Sequence, residues 1–313
     1  MDVESYMAAY PTSGVIVLKD SQVLLERYGL GRTANDVWDG QSVAKSITAI
    51  LVGAAIQDGY VTSMDDLVSD YVPQLKSGAF DGVTIRELFT MSSGVKFDDN
   101  WRDPDGNATR FAVWPYANED PASYLSRLPR VDRPGAKWVY NNADAHIAGI
   151  LVSTATGKFL SAYLAEKLWK PFGMESNAYW MVTPAGHEFG DGSISMTLRD
   201  YGRVGLFMLE GGKAGGIQVV PPEWLAEATR AQILLSPEKG VTAATGYGYY
   251  WWICSGAYFA LGYAGQRIYV SPKDNLVIAL NSALPKGGSP EDLQALSAFI
   301  QALHMAAAQS CGQ

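Results

Sequence analysis

The run Ser42-Val43-Ala44-Lys45-Ser46-Ile47-Thr48-Ala49-Ile50-Leu51-Val52-Gly53-Ala54-Ala55-Ile56 decides how the rest of the chain is read. Ile47, Ile50, Leu51 and Ala54 follow the i, i+3, i+4, i+7 spacing of a helix that faces a core. Asp39, Gly40 and Ser42 are start signals for that helix and Gly59 is a stop signal. Ser42 then sits at the helix mouth, where unpaired backbone N–H groups and the helix dipole favour developing negative charge. Lys45 lies one turn on, about 60° around the axis and about 4.5 Å along it, so the two side chains can meet. A hydroxyl beside an amine is a nucleophile beside a base.

The Ser-x-x-Lys pattern occurs three times in the chain and does not select the nucleophile by itself. Ser93-Gly94-Val95-Lys96 has an internal Gly and no apolar helix behind it, so it reads as a turn. Ser236-Pro237-Glu238-Lys239 is followed at once by Gly240. Only Ser42 leads a long apolar helix.

Outward from that helix, Val15–Leu18 and Val23–Tyr28 flank a turn at Lys19-Asp20-Ser21 and read as a β-hairpin. At the far end, Gly246–Ile253, Tyr258–Gly265, Gln266–Val270 and Leu276–Asn281 read as strands, and Pro290–Ala307 as a closing amphipathic helix. Residues 60–235 read mainly as helix and loop. Thr84 with Glu87 forms a capping-box pattern, helices are predicted over 143–156, 159–169, 198–209 and 222–231, and 97–121 is a long loop rich in Asp, Trp and Pro. The expected fold is α/β (α+β): an antiparallel β-sheet flanked by helices and built from both termini, with an inserted mainly helical domain. Residues 1–60 and 240–313 form the sheet domain and 61–239 the helical one, with the active site in the cleft between them.

Composition narrows the function classes. The chain has 313 residues, 48% hydrophobic and 18% charged, which places it among globular proteins. Its net charge of −8 argues against a nucleic-acid partner. No apolar run approaches the roughly 20 residues of a membrane helix, so no membrane partner is expected. Cys254 and Cys311 form neither a disulfide framework nor a metal spacing, and no cofactor is expected. The first Lys is Lys19 and no long apolar segment follows Met1. The chain as it stands therefore reads as cytoplasmic, or as periplasmic had a leader been removed.

Among catalytic systems, a Ser-His-Asp enzyme needs a His placed as base, and nothing in the sequence pairs His146, His187 or His304 with a nucleophile. Gly40-Gln41-Ser42-Val43-Ala44 imitates a nucleophile elbow, but polar residues precede it where that motif needs a buried strand. A metal hydrolase lacks any H-x-x-x-H spacing. There remains Ser42 with Lys45 and a second base, for which Tyr140 is the candidate. A phenol with a pKa near 10 serves as a base when neighbouring cations stabilise its phenolate. Tyr116-Ala117-Asn118 shares the Tyr-x-Asn pattern from within the long loop. Tyr140-Asn141-Asn142 lies between a Pro-Gly turn and a helix start.

Four ordered pieces together resemble the serine β-lactamase and penicillin-binding protein superfamily on its class C side, and within it the 6-aminohexanoate-dimer hydrolases and related serine esterases. They are Ser42-Val43-Ala44-Lys45; Val83–Leu88 with Ser92-Ser93-Gly94; Pro134-Gly135 with Trp138–Asn142; and Gly262-Tyr263-Ala264-Gly265-Gln266. The resemblance implies that Ser42 attacks an acyl carbon while Lys45 and Tyr140 handle its proton. It implies that Asn142 holds Lys45 and the substrate carbonyl, and that the N–H groups of Ser42 and Gln266 form an oxyanion hole. The third family motif, Lys-Thr-Gly, reads Tyr263-Ala264-Gly265 here. The Lys charge and Thr hydroxyl that grip a β-lactam carboxylate are missing, so the resemblance implies weak β-lactam hydrolysis and favours, as the partner molecule, a small amide or ester without that carboxylate.

Two readings follow: a serine hydrolase that forms an acyl-enzyme, or a non-catalytic binding or sensor protein of the same fold. A weak β-lactamase or D-amino-acid peptidase is a variant of the first. Asp98, Asp99, Asp103 and Asp105 either attract a cationic amine or form a solvated loop. Trp101, Trp114 and Tyr116 either wall an acyl pocket or pack against the domain.

Overall fold

The computed structural model describes residues 2–100, 103, 105–112, 119–183, 185–236 and 243–309. Among the described residues, thirteen strands follow in chain order: β1 (Thr12–Lys19), β2 (Gln22–Tyr28), β3 (Val37–Asp39), β4 (Tyr179–Trp180), β5 (Ile194–Thr197), β6 (Lys213–Ala214), β7 (Ile217–Gln218), β8 (Ile233–Leu234), β9 (Gly246–Tyr247), β10 (Trp252–Cys254), β11 (Ala257–Leu261), β12 (Arg267–Ser271) and β13 (Leu276–Ser282). Among the described residues, eight of them form one antiparallel sheet in the order β2-β1-β13-β12-β11-β10-β9-β8.

The β1–β2 hairpin closes on Asp20 and Ser21, both left-handed at φ 51° and 61°, the backbone of a two-residue hairpin turn whose twist matches its strands. β1 is buried along nearly its whole length because helices Val3–Ala9, Leu198–Leu209 and Pro290–Gln309 pack on it, while β13 pairs its other edge with Val15 opposite Leu280 and Val17 opposite Ile278. The first and last strands in the chain therefore pair side by side, one strand in from the β2 edge, as expected of a sheet built from both termini.

Helix Val43–Gln57 is buried from Val43 to Ala55. The core-facing helix read from its spacing is apolar almost all round and so lies inside the molecule. Its polar side chains are satisfied, with Ser46 Oγ donating to the Tyr250 carbonyl at 2.7 Å and Thr48 Oγ1 to the Gly190 carbonyl at 2.7 Å. It packs against helix Asn142–Thr156, so the predicted nucleophile and the predicted Tyr-Asn-Asn segment meet at one end of a helix pair. The capping box at Thr84 and Glu87 is formed on both sides.

Three details differ from the sequence reading. β3, β5 and β4 form a second, three-stranded sheet; strands of two to four residues carry too few positions for alternation to show. Helix Leu198–Leu209 falls in the stretch read as the helical insertion, yet it packs on β13, β12 and β1. Gly202 and Gly205 permit this, since a Cβ at Gly205 would lie 2.4 Å from Val277 Cγ1. The run 246–253 is not one strand: Tyr250 is left-handed at φ 59° and turns the chain between β9 and β10. At Gly248, beside that turn, a Cβ would lie 2.1 Å from the Ala228 carbonyl.

Candidate active site

The residues before Ser42 form a braced loop. Gln41 is left-handed at φ 49°, its N–H donates to Asp39 Oδ1 at 2.9 Å, and its side-chain amide also bonds the Asp39 carboxylate. Gly40 N–H donates to the Ile194 carbonyl at 2.8 Å and Ser193 N–H to the Gln41 carbonyl at 3.2 Å, which tie the loop to the small sheet. Ser42 has helical backbone angles (φ −66°, ψ −2°) and its side chain makes no cap bond. The hydroxyl that sequence placed as a helix cap therefore faces the cleft, where it is among the lining residues.

Lys45 is 2% exposed. Its Nζ donates to Ser42 Oγ at 3.0 Å and to the Asp191 carbonyl at 2.6 Å, and it sits 5.2 Å from the centre of the Tyr140 ring. Tyr140 in turn stacks on Trp252 at 5.8 Å and 18°. Ser42, Lys45 and Tyr140 are thus in one place. No hydrogen bond joins the Tyr140 hydroxyl to Ser42 or Lys45 among the described residues.

Asn141, not Asn142, caps its helix, accepting from Ala143 N–H at 2.9 Å. Asn142 is left to line the cleft, with a buried Oδ1 that has no hydrogen-bond partner. The expected bond from Lys45 to Asn142 is replaced by the one to the Asp191 carbonyl.

On the facing side, the turn between β11 and β12 is closed by Gly262 N–H to the Gln266 carbonyl at 2.8 Å and Gly265 N–H to the Gly262 carbonyl at 3.1 Å. Gly265 is left-handed at φ 94°. The Gln266 side chain points inward, accepting from Ala264 N–H at 3.0 Å and donating to the Ser282 carbonyl at 3.1 Å. A Cβ on Gly262 would lie 2.4 Å from the Gly40 carbonyl, so the absence of a side chain there lets this turn lie against the nucleophile loop. Tyr263 is exposed at the cleft mouth.

Asp191, Asp99 and His146 complete the surroundings; the sequence reading named Asp99 as one acid of a loop that attracts a cationic amine or is solvated, weighed His146 as a base without a paired nucleophile, and did not name Asp191. Asp191 is buried. Burial pushes its carboxyl up, but the hydrogen bond from His146 Nδ1 at 3.0 Å and the Lys45 charge outweigh this and hold it below the ordinary value. His146 is therefore a positioning group for the loop that carries the Lys45 acceptor. Burial pushes the Asp99 carboxyl up to about 6, aided by the Asp191 charge and opposed by Lys45 and Asn142. Its Oδ1 has no hydrogen-bond partner. Nothing in the sequence marks Asp191, since its part rests on a backbone carbonyl.

These residues open on a cleft of about 940 Å³ whose lining also includes Trp138, Met181, Phe189 and Leu261. Apolar walls around a few convergent polar groups are the usual form of a small-molecule site. Trp101, Trp114 and Tyr116 lie outside the described residues, as do Pro237–Lys239 of the third Ser-x-x-Lys and Cys311.

Ser93, of the second Ser-x-x-Lys, is buried and donates to Asp144 Oδ1 at 2.6 Å. Burial pushes the Asp144 carboxyl up to about 8. Its folded pKa thus exceeds the unfolded one, so the folded state holds a proton that the unfolded state has lost between about pH 4 and pH 8. Stability through this group is full at low pH and is lost as pH rises through about 8. Asp144→Asn is expected to flatten the fall of Tm between pH 5 and pH 9; an unchanged slope in thermal melts refutes the assignment.

The chain matches the family described as Beta-lactamase over residues 2–302. It is 30% identical to the 6-aminohexanoate-dimer hydrolase of Paenarthrobacter ureafaciens over 301 residues, covering 91% of this chain and 76% of the relative. A solved Bacillus anthracis structure, given that enzyme name provisionally, superposes with a TM-score of 0.83 at 22% identity, covering 98% of this chain and 82% of that one. A family VIII carboxylesterase structure gives a TM-score of 0.74 at 17% identity, covering 96% of each chain. The length of the family match, together with the relative at 30% identity, makes this chain a member of the beta-lactamase family and a hydrolase of the serine β-lactamase fold.

Proposed function

We propose that the protein hydrolyses small linear amides or esters through an acyl-enzyme on Ser42, in the manner of a 6-aminohexanoate-dimer hydrolase or carboxylesterase. The observation that carries this reading is the 3.0 Å contact between Lys45 Nζ and Ser42 Oγ, on a lysine that is buried and oriented by the Asp191 carbonyl. Ser42 Oγ bonds to the acyl carbon, and its proton passes by way of Lys45 and Tyr140 to the leaving amine or alcohol. The N–H groups of Ser42 and Gln266 receive the oxyanion, each donor worth about 3 kcal/mol in the transition state. Water then cleaves the acyl bond, releasing the acid and restoring the Ser42 hydroxyl. Esters and amides share the tetrahedral intermediate, so both fall within this chemistry.

The site residues Ser42, Lys45, Tyr140, Asn142, Tyr263, Gly265 and Gln266 are assigned on this basis, as is the cleft between the sheet part and the helical part. The test is incubation with p-nitrophenyl butyrate and with the 6-aminohexanoate dimer, following turnover and the intact mass of the protein. Turnover with an acyl adduct on Ser42 is expected. Neither turnover nor adduct with any acyl substrate would sink the reading and leave the binding-protein alternative.

A further inference from the structure

The described side chains lining the cleft include two acids, Asp99 and Asp191, and one base, Lys286. The acids lie on the Lys45 side: Asp191 supplies the carbonyl that holds the lysine, and the Lys45 charge acts on Asp99. Lys286 belongs to the other wall, formed by the β11–β12 turn and the segment after β13. It is exposed and makes no ion pair with a described residue.

The loop that carries Lys286 is held in place. Leu284 N–H donates to the Ala264 carbonyl at 3.1 Å, Gly287 N–H to the Leu284 carbonyl at 3.3 Å, and Gly288 N–H to the Pro285 carbonyl at 2.9 Å. Gly287 lies against the Tyr263 ring, so closely that a Cβ would be 2.7 Å from Cε2. Lys286 itself is left-handed (φ 56°, ψ 25°) between Pro285 and Gly287, a conformation that a residue with a Cβ adopts only at a cost. A lysine without an ion pair to a described residue thus stands on a braced loop at the mouth of an otherwise apolar and acidic cleft, beside the turn that carries Gln266.

We propose that Lys286 is the anion-recognition point of this cleft and selects linear acyl substrates that carry a free carboxylate. The assignment of the bound molecule as a substrate rests on the hydrolase reading above; the binding of a carboxylate does not. An ammonium of a lysine takes a carboxylate as a point charge with three rotatable donors. Because Lys286 is exposed, the gain is modest and salt-sensitive, on the order of fivefold in affinity at low ionic strength.

The test uses the full chain with Ser42→Ala, and two probes: N-butyryl-6-aminohexanoate and its methyl ester. Trp138 and Trp252 line the cleft, so intrinsic fluorescence reads binding. The carboxylate is expected to bind about fivefold tighter than the ester at low salt. Lys286→Gln removes the charge and is expected to bring that ratio to about one, whereas Lys286→Arg keeps the charge and is expected to keep most of it; the position is exposed, so neither side chain enters the core. A ratio near one with Lys286 intact, a ratio untouched by Lys286→Gln, or an equal loss for both probes would each overturn the proposal. Turnover of neutral esters by the Ser42 protein without any carboxylate preference would leave the hydrolase reading intact and remove Lys286. A carboxylate preference in a protein that turns over no acyl substrate would do the reverse.

Discussion

Lys45→Met is expected to lower kcat/KM for p-nitrophenyl butyrate by about 10³-fold or more, with the fold retained, and Ser42→Ala to do at least as much. Met keeps most of the volume of the lysine stem in a site that is 2% exposed, so the core is not opened. What is lost is the group 3.0 Å from Ser42 Oγ, the one hydrogen bond the structure gives that hydroxyl among the described residues. The Asp191 carbonyl also loses its donor, at a stability cost of about 1–3 kcal/mol, partly offset because an ammonium no longer has to be buried. Steady-state kinetics with circular dichroism on the same samples separates the two effects. Rates near the parent level in a folded Lys45→Met protein would remove Lys45 as the base.

Gly262→Ala should be the most damaging single-methyl change near the site. The added Cβ would sit 2.4 Å from the Gly40 carbonyl, 2.5 Å from Gln266 Oε1 and 2.8 Å from Gln266 Cβ. The nearest neighbour is backbone, and the Gly40 carbonyl also accepts from Val43 N–H at 3.0 Å, at the start of the nucleophile helix; the Gln266 amide is held at both ends, by Ala264 N–H at 3.0 Å and the Ser282 carbonyl at 3.1 Å. Gly262 is not among the glycines with positive φ, so the objection is one of space alone. The turn and the nucleophile loop must part by something on the order of 1 Å, which at a reacting centre costs about 10²-fold in kcat. Overpacking adds about 1–3 kcal/mol of destabilisation. A Gly262→Ala protein with unchanged kcat would show that this close approach has no bearing on the chemistry.

What was legible beforehand follows from the kind of signal each residue carries. The Ser42 helix is a long apolar run with polar start signals, and periodicity finds such segments well. The pairing of Ser42 with Lys45 is set by helix geometry alone, so spacing was enough to anticipate the 3.0 Å contact. Tyr140 reached the list through its place between a Pro-Gly turn and a helix start, and the structure brings its ring to Lys45. Asp191 was invisible for a physical reason: it holds Lys45 by a backbone carbonyl, which every residue type possesses. Asp99 read as one acid of a loop that attracts an amine or is solvated, and only its place in the cleft lining separates it from Asp98. Lys286 sits in a Pro-Lys-Gly-Gly turn that sequence reads as surface. Its meaning depends on which cavity that turn borders, and strands distant in sequence decide this.

The pairing of β1 with β13 has a consequence for biosynthesis. Ser13 Oγ bonds the Asn281 carbonyl across 268 residues of chain, and the ladder from Thr12 to Lys19 runs along residues 276–282. A nascent chain therefore carries β1 with one long edge unpaired until nearly all of the sequence has left the ribosome. Such apolar edges recruit other strands, and contacts this distant in sequence form slowly. Chains cut short before residue 276 would expose that edge permanently, so aggregation or proteolysis, rather than a partly active enzyme, is the fate expected of them.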